Sequence, residues 1–192
     1  MSAHPVDSAG RILPAPSWPD EPGSAGLLEP VRRFCNTTNR ENGADAWRSV
    51  PELADWFIRE GYGSVKGVDA ATLARFGALR EVLFQGIETG DFSALASTAG
   101  PLTVRLEGLE LVSDGLGVDA VVARLVLAVV AGAAGGTLGR LKSCDHCRWV
   151  FHDTSKNRRG RWCSMDACGG RQKARAYRTR RKSGAATGEM RP

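Results

Sequence analysis

Apolar residues along this chain recur in separate runs, each with a readable start and stop. After Leu27, Val31, Phe34 and Cys35 follow Pro30 at helical spacing, and proline is well suited to a first helical turn. Ser49-Val50-Pro51-Glu52 has the form of a capping box, so a second helix is predicted there, with Leu53, Trp56 and Phe57 as its apolar face and Gly61 as its stop. A third helix is predicted from about Asp69 to Gly90, with Leu73, Phe76, Leu79, Leu83 and Ile87 on one side. The period then changes to two. Leu102, Val104 and Leu106 alternate with polar residues, Glu107-Gly108 interrupts, and Leu109 and Leu111 resume, which predicts a hairpin with Leu106 opposite Leu109.

An apolar helix is expected from about Asp119 to Ala134, and Gly132, Gly135, Gly136 and Gly139 then read as a hinge. Its surroundings, Ala120 to Leu138, are interrupted by Arg124 and rich in Ala and Gly, so a buried helix is expected and not a membrane span. Residues 1–26 hold five prolines and no sustained period, and they read as a flexible tail, as do residues 183–192. The body therefore spans 27–139, and a distinct module spans 140–182.

Charge separates those two parts. The chain has 192 residues and a net charge of +5, but residues 1–139 carry 11 Lys/Arg against 17 Asp/Glu, while residues 140–182 carry 14 against 3. An acidic body with a strongly basic end is the asymmetry expected of a chain that meets a polyanion. Four of the five cysteines lie in the basic end, as Cys144-x2-Cys147 and Cys163-x4-Cys168 with fifteen residues between the pairs. Met1 to Gly10 is polar and proline-interrupted, unlike a secretory signal, so the thiols are expected to stay reduced in a cytoplasm. Paired cysteines in that setting favour metal over disulfide, and the spacing predicts one structural Zn2+ held by Cys144, Cys147, Cys163 and Cys168. His146 and His152 are weaker competitors for the metal, and Cys35, at an apolar helix position, is expected in the core.

Between the pairs, Trp149 to Phe151 suggests a strand, Asp153 to Gly160 a polar turn, and Arg161-Trp162 a return strand. A basic helix follows from about Arg171 to Lys182. On a 3.6-residue period Arg171, Arg175, Arg178 and Lys182 form one stripe about 60° wide and about 16 Å long, with Lys173 and Arg180 off it and Ala174 and Tyr177 placed to pack on the hairpin. The expected fold class is mainly α, with some β: a helical domain carrying a β-hairpin, then a small treble-clef-like finger ending in a basic helix.

The stretches Phe151-His152-Asp153-Thr154-Ser155-Lys156-Asn157-Arg158-Arg159, Arg161-Trp162-Cys163-Ser164-Met165 and Cys168-Gly169-Gly170-Arg171-Gln172-Lys173-Ala174-Arg175 resemble the CGNR zinc-finger family. Residues 27–139 resemble, more loosely, the helical ABATE domain that accompanies that finger. The resemblance implies a stress-induced transcription regulator, zinc on the four cysteines and a nucleic-acid face on the basic helix. Gly170 stands where the family has Asn, which alters either a helix cap or a base contact.

Duplex DNA is the expected partner, through Arg158, Arg159, Arg161, Arg171, Lys173, Arg175, Arg178 and Lys182. Two alternatives stand beside it. Trp149 and Trp162 could stack bases in an RNA- or ribosome-associated protein, and Arg33, Asn36 and Asn39 could line a ligand pocket in a sensing adaptor. A homodimer through the helical domain is compatible with either. An enzyme is not expected: the chain has three histidines, no nucleophile elbow and no phosphate loop, and a tetrathiolate zinc keeps no position for a reactive water.

Overall fold

The computed structural model describes residues 26–107, 110–113 and 117–186. Of the expected tails, 1–26 and 183–192, residues 1–25 and 187–192 lie outside these residues, and residues 183–186 continue the last helix rather than a tail. The helical part begins with α1 (Glu29–Cys35), with Pro30 in its first turn and Val31, Phe34 and Cys35 buried. A two-residue ribbon, β1 (Thr38–Asn39) with β2 (Ala44–Asp45), leads to α2 (Val50–Arg59). The capping box forms: the Ser49 hydroxyl accepts from the Glu52 amide at 3.5 Å, and the Glu52 carboxylate accepts from the Arg48 amide at 2.8 Å. Next comes α3 (Ala70–Thr89), capped by the Asp69 carboxylate on the Thr72 amide at 2.8 Å and ended by Gly90 at φ 80°. A short α4 (Leu95–Ala99), β3 (Val104–Glu107), β4 (Glu110–Ser113) and α5 (Val118–Ala134) complete it.

These elements close around an aromatic cluster. Phe34 lies 5.6 Å from Phe76 edge to face and 5.7 Å from Trp56, and Phe57 lies 5.2 Å from Phe76. Such geometry adds to what burial alone contributes. Leu79 and Leu83 of α3 and Val121, Val122 and Leu125 of α5 extend this core. One charge sits at its edge: Arg80, 8% exposed, holds Asp45 at 2.6 and 2.9 Å, donates to the Thr37 hydroxyl and lies 4.1 Å over the Trp47 ring. That pair fastens the β1–β2 ribbon to α3, and no periodicity in the sequence announces it.

Among the described residues no helix is long and apolar enough to cross a membrane. Gly132 is buried inside α5, where an added Cβ would come within 2.6 Å of the Leu28 side chain; it is a close-approach position and not part of a hinge. A single 3-10 turn, Leu138–Arg140, joins α5 to β5 (Leu141–Ser143), which pairs antiparallel with β6 (Val150–His152). Leu141 and Val150 belong to the same apolar core as the helices, so the basic end is packed onto the body.

Three expectations of local structure need correction. The hairpin pairs Leu106 with Leu111 and Glu107 with Glu110, two residues away from the expected register. The shift keeps parity, so the alternation along the two strands is preserved; residues 108 and 109, between them, lie outside the described residues. Arg161-Trp162 forms no strand; the finger's hairpin is closed across the first cysteine pair, β5 with β6, because backbone pairing there needs only the short knuckle turn. In α6 (Gly170–Ala186), Ala174 and Tyr177 do not pack on the hairpin: Tyr177 is 58% exposed, and residues 173–181 all face solvent.

Candidate metal centre and nucleic-acid interface

The first knuckle is a tight turn after β5. The Cys144 amide donates to the Trp149 carbonyl and the Arg148 amide to the Cys144 carbonyl, both at 2.9 Å, with Arg148 in the left-handed region at φ 63°. A non-glycine residue there is held from outside. The Arg148 guanidinium meets the Glu88 carboxylate of α3 at 2.5 Å and lies 5.5 Å over Phe84, while the other Glu88 oxygen accepts from the Ser143 hydroxyl.

The second pair has four intervening residues because it is built as a wide π-type turn, Met165–Gly169, running straight into α6. Ser164 caps that turn: its hydroxyl accepts from the Ala167 amide at 3.1 Å and its carbonyl from the amides of Cys168 and Gly169. The longer spacing thus brings Cys168 back to the cluster and starts the basic helix in one motion.

The sulfurs of Cys144, Cys147, Cys163 and Cys168 all lie within 4.8 Å of one another. Three of the separations are 3.6, 3.7 and 3.6 Å, for Cys147–Cys163, Cys163–Cys168 and Cys147–Cys168. Disulfides are excluded at these lengths. A tetrahedron with zinc–sulfur bonds of about 2.3 Å has edges of about 3.8 Å, so the donor set fits one Zn2+.

The crowding of the sulfurs bears on their charge. Hydrogen bonds from the Cys147 and Cys163 thiols pull Cys144 below the ordinary thiol range, and the same contacts with Cys144 push Cys147 and Cys163 up. Burial raises Cys168. Left to themselves, four crowded sulfurs cannot all be thiolates; a dication makes that state favourable, contributing on the order of 10 kcal/mol to the folded finger. Trp149, Phe151, Trp162 and Ala44 surround the sulfurs. His146 lies outside the sulfur group, near the Glu41 carboxylate and the Gln172 amide.

Between the knuckles the chain is organised by Asp153, which is 3% exposed. Its carboxylate accepts from the Lys142 ammonium at 2.6 Å, the Gly160 amide at 2.8 Å and the Ser155 amide at 3.0 Å. Burial alone would raise its pKa; the Lys142 ammonium and the Ser155 and Gly160 hydrogen bonds outweigh that and hold the acid well below the usual carboxylate range. Gly160 is required by the approach, since a Cβ there would come within 2.6 Å of the Asp153 carboxylate. The Lys142 ammonium also donates to the carbonyls of Gly160 and Arg158. This framework presents Lys156, Asn157, Arg158 and Arg159 on the outside of one loop, all exposed.

The other cationic candidates divide into two groups. Arg161 is committed to Asp145 at 2.6 Å, and Arg171, first of the expected stripe, meets Glu41 of the β1–β2 turn at 3.1 Å. Lys173, Arg175 and Arg178 are exposed and, among the described residues, have no carboxylate partner. Lys182 lies on α6, but its side chain is outside the described residues. A Cβ at Gly170 would meet the Met165 carbonyl at an ordinary 3.8 Å, so glycine is not forced at the position where the resemblance expects Asn.

Among the described residues, Arg33, Asn36 and Asn39 each have partners of their own. Arg33 pairs with Glu60 at 2.9 Å. The Asn39 carboxamide oxygen accepts from the Glu41 and Asn42 amides inside the β1–β2 turn. Asn36 makes the contact that sequence reasoning missed: its Nδ2 donates to the Val150 carbonyl at 2.7 Å and its Oδ1 accepts from the Val150 amide at 2.8 Å, docking α1 on β6. Its partner lies 114 residues away, so no local signal could have revealed it.

A search of the curated proteins finds no match to the chain. Residues 140–181, the segment from the turn before β5 to the exposed part of α6, match the family model of the CGNR zinc finger.

Proposed function

We propose that this chain is a transcription regulator that contacts duplex DNA through α6, with zinc in a structural role. The observation that carries this reading is the exposed set Lys173, Arg175, Arg178, Arg180 and Arg181, which α6 projects from the metal centre without a carboxylate partner among the described residues. Cations so displayed suit phosphates, and arginines can also read guanine edges. The looser resemblance of the helical part to ABATE supports a stress-linked input. In this reading the protein works in the cytoplasm, alone or as a homodimer, and is not an enzyme, since four cysteines fill the tetrahedron of the metal.

Binding of the zinc-loaded chain to duplex DNA is expected to fall steeply with salt, with a log-log slope of roughly −3 to −5 for four or five phosphates. Fluorescence anisotropy across a salt series measures it. A flat dependence, or no binding at low salt, overturns the reading.

A further inference from the structure

A second surface of the finger has a chemistry that α6 lacks. Between the Asp153 loop and the second knuckle lies a cleft of about 550 Å³. Phe151, Trp162 and Met165 line it on the apolar side, and Lys156, Asn157 and Arg159 line it on the loop side. Met165, a large apolar side chain beside the metal centre, is 55% exposed. Trp162 keeps its indole Nε1 buried with no hydrogen-bond partner among the described residues, and such a donor costs stability unless something accepts from it. Lys156 and Arg159 are exposed and, among the described residues, lack carboxylate partners, unlike Lys142 and Arg161 close by.

We propose that this cleft takes one unpaired nucleotide of a nucleic-acid strand, its base against Trp162 and Met165 and its phosphate between Lys156 and Arg159. An aromatic and thioether wall accepts the face of any base, paired cations accept the adjoining phosphate, and Asn157 offers a donor and an acceptor to a base edge. The volume is in the range of small-ligand sites. A base inside a duplex cannot reach such a cleft, so the occupant is a single-stranded or extruded nucleotide. The site is separate from α6 and stands whether or not α6 grips duplex DNA.

The test uses the full chain with zinc bound and three probes: a short deoxyribo strand with 2-aminopurine at its centre, the matching ribo strand, and 2-aminopurine nucleoside monophosphate. Stacking should quench the 2-aminopurine emission on binding, and the probe bound most tightly identifies DNA, RNA or free nucleotide as the source. Lys156→Ala with Arg159→Ala should weaken binding by about tenfold, and Trp162→Leu should remove the quench by loss of the stacking face. Should Trp162→Leu lose zinc, Met165→Ala at its exposed position should at least halve the quench instead. Arg175→Ala with Arg178→Ala should leave the quench unchanged while lowering duplex affinity, which keeps the two surfaces distinguishable. Binding of none of the probes, binding without quenching, or a quench lost only with the α6 variant overturns the proposal.

Discussion

Residues 140–169 and residues 173–181 are both strongly basic, but their cations do different things. In the first stretch, Arg140 donates to the Asp153 and Ser155 carbonyls, Lys142 holds the Asp153 carboxylate, Arg148 meets Glu88 and Arg161 meets Asp145. In the second, Lys173, Arg175, Arg178, Arg180 and Arg181 face solvent with no carboxylate partner among the described residues. Net charge treats the two alike. Position separates cations that fold the chain from cations that face solvent: the second set holds α6 beyond Arg171, which touches Glu41, and also the loop cations Lys156, Arg158 and Arg159.

This contrast can be broken in order of severity. Cys147→Ser should remove zinc and unfold the finger, a loss on the order of 10 kcal/mol to that module, with helicity of the body retained. Metal analysis and circular dichroism check this, and a finger that stays folded without zinc would erase the difference in how the two parts are held. Asp153→Ala should cost about 3 kcal/mol, since it takes the counter-charge from Lys142, leaving it only the Gly160 and Arg158 carbonyls, and strands the Ser155 and Gly160 amides in a partly buried loop. Denaturant melts of the zinc-loaded protein read it. Asn36→Ala should cost about 2 kcal/mol by leaving both polar groups of Val150 unmet inside the interface, and faster amide exchange at Val150 should accompany it. Arg175→Ala with Arg178→Ala should change stability by less than about 0.5 kcal/mol. That last variant should still reduce the salt slope of duplex binding by roughly two, so a stability loss there would mean that α6 also serves the fold.

What could be read from the sequence was what is local. The capping box at Ser49, the span of α3 and the four zinc ligands each depend on residues a few positions apart, or on two such groups with a recognisable gap. The return strand at Arg161-Trp162 failed because Asp153 organises its loop through Lys142 and Gly160, and a single buried acid among polar neighbours looks like any turn residue. The Asn36 contact was hidden for a related reason: a polar residue after an apolar helix suits a pocket as well as a docking contact, and only the fold brings Val150 to it. The hairpin register slipped by two because a period of two fixes faces, whereas turn chemistry fixes the pairing.

Between Arg171 and Arg181 the chain carries six cationic side chains and no acid, over a rise of about 15 Å, or about one charge per 2.5 Å. Duplex DNA carries about one negative charge per 1.7 Å. The exposed helix is therefore a polyelectrolyte in its own right, with like charges at neighbouring turns and an atmosphere of anions around it in solution. In the proposed association with DNA, small ions would be freed from both rods, so the anion of the buffer would take part in the equilibrium alongside the cation that DNA sheds.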